Sequence, residues 1–481
     1  MQKLFLKGLG ITLLLNLLVK PATIFVVDIK MQNELGSETY GIFQTILNIS
    51  FIFSMVLDMG MSNFMTRLIA QYPHLRVKYS NRLLTYRLIL TVSYLIITSA
   101  LFFFVGIPLK YWWILALLML HQISIISVLY VRAFTAGLMK FKVDAFLSVV
   151  ERSVYFILGL VLLKSMLFGK VSLESYIIIF VSSSFFSLLC ALVVYIKYVS
   201  FPRFEWDKKF FQFTIRKTIL YATLVIIMMM MSKLDVIFIK LFTSTDHGGF
   251  YQAGIYNGSY RLLDACWMFS VLFGIILLPI FSRLLKDKES TQSVLTSSFN
   301  LLISAGIAMA ALSIGLRKDF FATLYGEAGS SMAKTWIFHA LAFIPMCMTV
   351  VFGTLLTANG SLKRLNTYAL ISLGLMVLSN CIFVPIWGAM GAALSFFVGQ
   401  TVLGITQYFD VQYSMKHRMA PNTWLKIGVL ALVLGILFIY HTYYPLSVLA
   451  YAGSLIGLWT ILVFGLRIID LKQILKSFMG K

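Results

Sequence analysis

Unbroken apolar runs, such as Leu83–Gly106 and Thr423–Tyr440, constrain this chain more than any motif in it. Each is about twenty residues long, the length a helix needs to cross the roughly 30 Å hydrocarbon core of a bilayer. No water is available there to satisfy backbone amides, so a spanning segment must be a helix or part of a closed barrel. Barrel strands alternate apolar and polar residues. These runs do not alternate, and an all-α polytopic membrane protein follows. Composition agrees: 60% of the 481 residues are hydrophobic, 12% are charged and mean hydropathy is +0.89. A soluble domain carries about a quarter charged residues.

Fourteen spans are expected. The first six lie near 8–28, 40–60, 83–106, 111–131, 145–167 and 174–196. The next six lie near 216–241, 250–282, 293–316, 333–357, 365–387 and 389–412, and the last two near 423–441 and 446–466. Lys3 and Lys7 precede the first run as they would in a signal peptide. The run has no small-residue cleavage pattern and is interrupted by Lys20-Pro21, so it is expected to remain as the first span. With both termini cytoplasmic, and residues at span edges counted with their flanks, the inside segments hold 28 Lys and Arg and the outside segments 8. That bias is the positive-inside rule, and it places the chain in a bacterial inner membrane with N-in/C-in topology. It also accounts for the net charge of +22 without nucleic acid as a partner. The four cysteines sit in apolar runs at irregular spacing, a pattern of neither metal ligands nor disulfides. No cofactor or metal is expected.

An internal echo divides the spans. Tyr40-Gly41-Ile42-Phe43 opens the second span, and Ala253-Gly254-Ile255-Tyr256 stands near the start of the eighth, 213 residues on. Phe134-Thr135-Ala136-Gly137-Leu138-Met139-Lys140 follows the fourth, and Leu356-Thr357-Ala358-Asn359-Gly360-Ser361-Leu362-Lys363 follows the tenth. Six spans separate each pair. Because six is even, the halves share orientation, a parallel repeat about an axis along the membrane normal. The expected domains are a six-helix bundle over 1–205, a second over 206–415, and two additional helices over 416–481. Two such bundles enclosing a cleft make a transporter architecture.

Charges inside spans are costly, about 2.5–3.5 kcal/mol each at the membrane centre, and so face a protein interior or a wet cavity. Lys20, Arg152, Lys233 and Arg261 are such residues, with Glu151, Asp235 and Asp264 beside three of them. Asn257, Arg261 and Asp264 follow i, i+4, i+7 and form one polar stripe. The repeat maps this stripe onto Gln44, Asn48 and Phe51. Asn16, Lys20 and Thr23 form a similar stripe in the first span, where Pro21 removes a backbone donor and invites a kink. The candidate substrate-binding set is therefore Lys20, Arg152, Lys233, Arg261, Asn16, Asn48 and Asn257. Asp264, Asp235, Glu151 and Pro21 are candidates for gating or ion coupling. A plainer reading is that each base only pairs with an acid. Arg261–Asp264 has the spacing for that, whereas Glu151–Arg152 and Lys233–Asp235 point apart. Asp28 and Asp58 are expected at solvated span ends, and His121 and His339 as packed polar residues. Basic groups suit an anionic substrate, Arg by a bidentate fork and Lys as a point charge.

Leu35-Gly36-Ser37-Glu38-Thr39-Tyr40-Gly41-Ile42-Phe43 and Leu57-Asp58-Met59-Gly60-Met61-Ser62 resemble the start of Wzx-type polysaccharide flippases. Gly254-Ile255-Tyr256, Leu278-Pro279-Ile280-Phe281-Ser282-Arg283 and Val384-Pro385-Ile386-Trp387-Gly388-Ala389-Met390-Gly391-Ala392-Ala393 add to the resemblance. That group also holds MATE exporters and lipid II flippases. The resemblance implies a MATE-like fold of two six-helix bundles forming a V-shaped cleft and, as substrate, an oligosaccharide on polyprenyl pyrophosphate. This cargo would cross from the cytoplasmic to the outer leaflet for O-antigen or capsule synthesis, by ion-coupled alternating access. Membrane lipids and polysaccharide polymerase machinery are the implied partners. No large loop carries catalytic groups and no P-loop is present, so an enzyme is not expected. The alternative is a cation-coupled MATE-type drug exporter.

Overall fold

The computed structural model describes residue 19 and residues 21–164, 171–199, 201, 203–243, 248–417 and 419–468. These residues are overwhelmingly helical, and no strand occurs among them. Thirteen described helical segments are long and apolar enough to cross a membrane. The first of them, Thr23–Leu57, has 35 residues. A straight helix of that length would run to about 50 Å, well past a bilayer core. It does not run straight. Gly36 adopts φ +76 and ψ +158, a conformation that only glycine takes without strain, and it separates two helices. Most of the expected first span lies outside the described residues.

Thr23–Asp28 is a π-helical segment, followed by α1 (Ile29–Ile52), α2 (Met61–Gln71), α3 (Arg76–Phe104) and α4 (Trp112–Gly137). Next come α5 (Phe141–Lys164), α6 (Leu173–Tyr198), α7 (Lys208–Phe242) and α8 (Gly248–Lys286). The chain continues through α9 (Gln292–Gly315), α10 (Arg317–Tyr325), α11 (Gly329–Ala358), α12 (Leu362–Trp387) and α13 (Ala389–Ser414). It ends with α14 (Pro421–Tyr443) and α15 (Val448–Gly465).

Packing divides the chain into two units, Met1–Gly254 and Ile255–Lys481, so the division falls inside α8. Helix α7 packs on α1 and belongs to the first unit. Packing units and repeat halves are different quantities: one records which helices touch, the other which helices correspond. In the first unit the core is aromatic, with Tyr40, Phe43, Tyr155, Tyr176 and Phe180 in one cluster. A second cluster gathers Met61, Met65, Tyr86, Tyr130, Phe134 and Tyr195. In the second unit, α14 and α15 dock on α9. The Tyr451 hydroxyl donates to the Ala311 carbonyl at 2.9 Å, and Trp459 Nε1 to that of Ser304 at 3.1 Å. Apolar packing against lipid supplies little net drive, so such interhelical hydrogen bonds set which face of a helix is buried.

The linker before α7 is tied to α3. Arg82 meets Asp207 at 2.7 Å, the Tyr86 hydroxyl donates to the Asp207 carbonyl at 2.6 Å, and the Glu205 amide donates to Thr85 Oγ1 at 2.9 Å. Asp207 also caps α7 by accepting from the Phe210 amide at 3.1 Å. That bond first, with the Arg82 guanidinium helping, holds its carboxyl below the usual range. A depressed pKa makes the docking fully present above the ordinary carboxylate range and lost as pH falls through Asp207's own pKa. Acidification through that point should expose the linker to protease while Asp207→Asn shows the exposure already at neutral pH. A linker equally protected at both pH values in both proteins would refute this.

Candidate functional site

In the first unit the site grows from Pro21. Its ring removes a backbone donor, and Thr23 Oγ1 bonds back to the Val19 carbonyl at 2.7 Å. The π-helical turns that follow end at Asp28. Such turns gather at functional positions in membrane and soluble proteins alike. Asp28 Oδ1 accepts from the Tyr155 hydroxyl at 2.6 Å, and that hydroxyl lies 3.1 Å from the Tyr176 hydroxyl. Asp28, expected as a solvated span end, is half-buried and hydrogen-bonded by Tyr155. The helix runs on past it to Gly36, and Tyr155 supplies the hydrogen bond that water would have given. The signal for this was present in Leu35-Gly36-Ser37, where the break belongs.

Arg152 stands beside Asp28, Tyr155 and Tyr176 and pairs with its own neighbour, Nε to Glu151 Oε2 at 3.1 Å. This corrects the expectation that adjacent side chains point apart. The two Cβ directions do differ by roughly 100°, but both side chains are long enough to bend along the helix surface and meet. Arg152's charge is thus answered locally. Close by, His121 packs on the Phe180 ring at 4.2 Å. Further along α1, Asn48 is buried, and Lys233 Nζ of α7 sits 5.7 Å from the Phe51 ring centre. Asp235, two residues on, is fully buried. Asn16 and Lys20 lie outside the described residues.

Asp58 was misplaced by sequence, and Arg87 was overlooked. Asp58 is only 2% exposed and caps α2 through the Ser62 amide at 3.2 Å and the Ser62 hydroxyl. Arg87, inside the expected third span but not singled out by sequence, is buried with its guanidinium 4.6 Å from the Tyr130 ring centre and in the field of Asp58. Hydropathy treats an acid or base as an exit from the membrane, and here each has found a partner inside the bundle.

In the second unit α8 presents two adjoining faces. Tyr256 and Tyr260 stack at 5.8 Å, and both meet the edge of His339, at 4.8 and 5.4 Å. His339 Nδ1 lies 2.8 Å from Ser259 Oγ, and Phe396 closes the far side of the ring. His339 is thus the packed polar residue expected. The aromatic anchor orients the helix, and the neighbouring face carries Asn257, Arg261 and Asp264. Asn257 and Arg261 are buried, Arg261 to 9% exposure, and Asp264 is half-buried.

The start of α8 crosses α1 at very close range. A methyl group built on Gly41 would lie 1.8 Å from the Phe250 carbonyl oxygen, and one built on Gly254 would lie 2.0 Å from that of Ser37. Gln32 Nε2 donates to the Gly254 carbonyl at 3.2 Å. Moving each residue by the repeat offset turns the first contact into the second: 41 becomes 254, and 37 becomes 250. Residue i touches j as j touches i, so the two close contacts exchange the echoed positions. The weak echo in the sequence is a crossing built from equivalent residues.

The model of the family described as "Polysaccharide biosynthesis protein" matches residues 5–285, more than half of the chain. The chain belongs to that family. Among solved structures, this family member is similar to the lipid II flippase MurJ in an inward closed conformation, with a TM-score of 0.70 and 14% identity over 94% of this chain and 99% of that one. It is also similar to an inward-facing multidrug resistance MATE family transporter of the MOP superfamily. There the TM-score is 0.55 and identity 13%, over 82% of this chain and 94% of that one. A Vibrio cholerae MATE transporter matches with a TM-score of 0.53 and 12% identity, over 87% and 97% of the two chains. No curated protein matches by sequence. At these identities the likeness concerns the fold, which is MATE-like. Family and helices together make this a multi-pass membrane protein of polysaccharide biosynthesis with a MATE-like fold.

Proposed function

We propose that this family member moves a polyprenyl-pyrophosphate-linked oligosaccharide from the cytoplasmic to the outer leaflet of a bacterial inner membrane by ion-coupled alternating access. The observation that carries this is Arg261, a buried guanidinium on a polar stripe of α8 with Asn257 and Asp264. A guanidinium is the side chain best matched to a pyrophosphate, because its fork can engage two oxygens at once. Lys233, over the Phe51 ring, and Arg152, beside Glu151, are the further candidates. Asp28 joins Glu151, Asp235 and Asp264 as a candidate for ion coupling, since its carboxylate sits among buried tyrosines at a π-helical turn. Alternating access would require the Gly41–Gly254 crossing, on the outer side by the charge bias, to part and re-form. The flipped unit would then be consumed by a polymerising transferase.

Deleting the gene should leave the lipid-linked unit on the cytoplasmic leaflet, read by its accessibility to a membrane-impermeant glycan label in spheroplasts. Normal outside labelling in the deletion strain, with drug sensitivity instead, would favour the drug exporter suggested by the MATE-like fold.

A further inference from the structure

Where α12 begins and α13 ends, a charge pair borders an aromatic pocket in the second unit. Arg364 Nη1 meets Asp410 Oδ1 at 2.6 Å, and Arg364 Nη2 donates to Ser361 Oγ at 2.7 Å. The Asp410 side chain is 4% exposed and that of Arg364 40%. Oδ2 of Asp410 is buried without a hydrogen bond of ordinary geometry, with the Tyr368 hydroxyl beside the carboxylate. A cavity of about 460 Å³ opens here, lined by Tyr368, Thr406, Phe409, Asp410, Tyr413 and Ser414. The Phe409 and Tyr413 rings stack at 6.2 Å, and Tyr413 is 75% exposed. The positive-inside bias puts this end of α13 at the cytoplasmic surface, the level of lipid headgroups.

We propose that this pocket holds the headgroup of an aminophospholipid, with the primary ammonium against Asp410 and the aromatic rings and the phosphate on Arg364. A nearly buried carboxylate framed by aromatic faces attracts a cation. A half-exposed guanidinium next to it attracts a phosphate oxygen. The pair presents the two signs side by side, the complement of a zwitterionic headgroup in which ammonium and phosphate are two carbons apart. A glycerol headgroup brings no cation to Asp410. A choline headgroup brings one that cannot donate a hydrogen bond to the carboxylate.

The test is lipid retention by the full-length protein. Protein in nanodiscs with equal amounts of phosphatidylethanolamine, phosphatidylcholine and phosphatidylglycerol would be released into native mass spectrometry and its bound lipids counted. Ethanolamine lipid should be retained at least about threefold over either other lipid, a modest share of one charge-assisted hydrogen bond to the Asp410 carboxylate. Asp410→Asn should bring ethanolamine and choline lipids level. Tyr413→Ala changes an exposed ring that the core does not need, and should lower the preference over phosphatidylglycerol even if Asp410→Asn does not fold. Equal retention by the wild type, preference for phosphatidylglycerol, or an unaltered preference in Tyr413→Ala would overturn the assignment.

Discussion

Gly41→Ala and Gly254→Ala should each abolish normal transport, and together should do little more damage than either alone. A Cβ at either position would overlap a carbonyl oxygen at 1.8 or 2.0 Å, and that oxygen belongs to helix backbone. A flexible side chain could swing aside, whereas a helix must move as a body. Forcing α1 and α8 apart at this crossing should cost about 1–3 kcal/mol, the usual range for overpacking. Once the helices have separated, the second methyl group finds room already made, so the effects of the pair should be far from additive. Thermal unfolding of the purified single and double variants, with outside labelling of the lipid-linked unit, measures both quantities. Two independent, additive losses would mean that the glycines do not share one crossing.

Arg261→Ala should lower flipping by at least about tenfold while the amount of protein in the membrane stays within about twofold of wild type. Loss of one charge-assisted contact to a phosphate is worth about 1.5–3 kcal/mol, which corresponds to a tenfold effect or more. Arg261→Lys should fall between, because it keeps the charge and loses the fork. The comparison is sharp because His339, Tyr256 and Tyr260 anchor α8 through its neighbouring face. The helix therefore keeps its position without the guanidinium. Equal loss of flipping and of protein level would instead make Arg261 a structural residue, and a fully active alanine variant would remove it from the site.

The two glycines and the arginine differ in how openly the sequence announced them. Arg261 stood out because a base in an apolar run is expensive wherever it lies, and its spacing from Asn257 and Asp264 needs only helical geometry. Gly41 and Gly254 could be matched as an echo, yet nothing in the chain said that the matched residues touch. Asp28 shows the opposite failure. It reads as the end of a span because an acid next to lipid is improbable. What keeps it inside is Tyr155, 127 residues later in the chain. Asp58 was displaced toward solvent for the same reason, and Glu151–Arg152 was dismissed because Cβ directions say little about where long side chains end.

The sequence by itself determined that the chain is built from helices of membrane-crossing length, and it carried the charge bias and the stranded basic groups. Each of these is a constraint that lipid imposes on one residue or one run at a time. Only the tertiary structure decided which of those charges already have company, where the first helix breaks and which glycines meet. Those are pairwise facts between helices far apart in the chain, and a local pattern of apolar and polar residues carries no record of its distant partners.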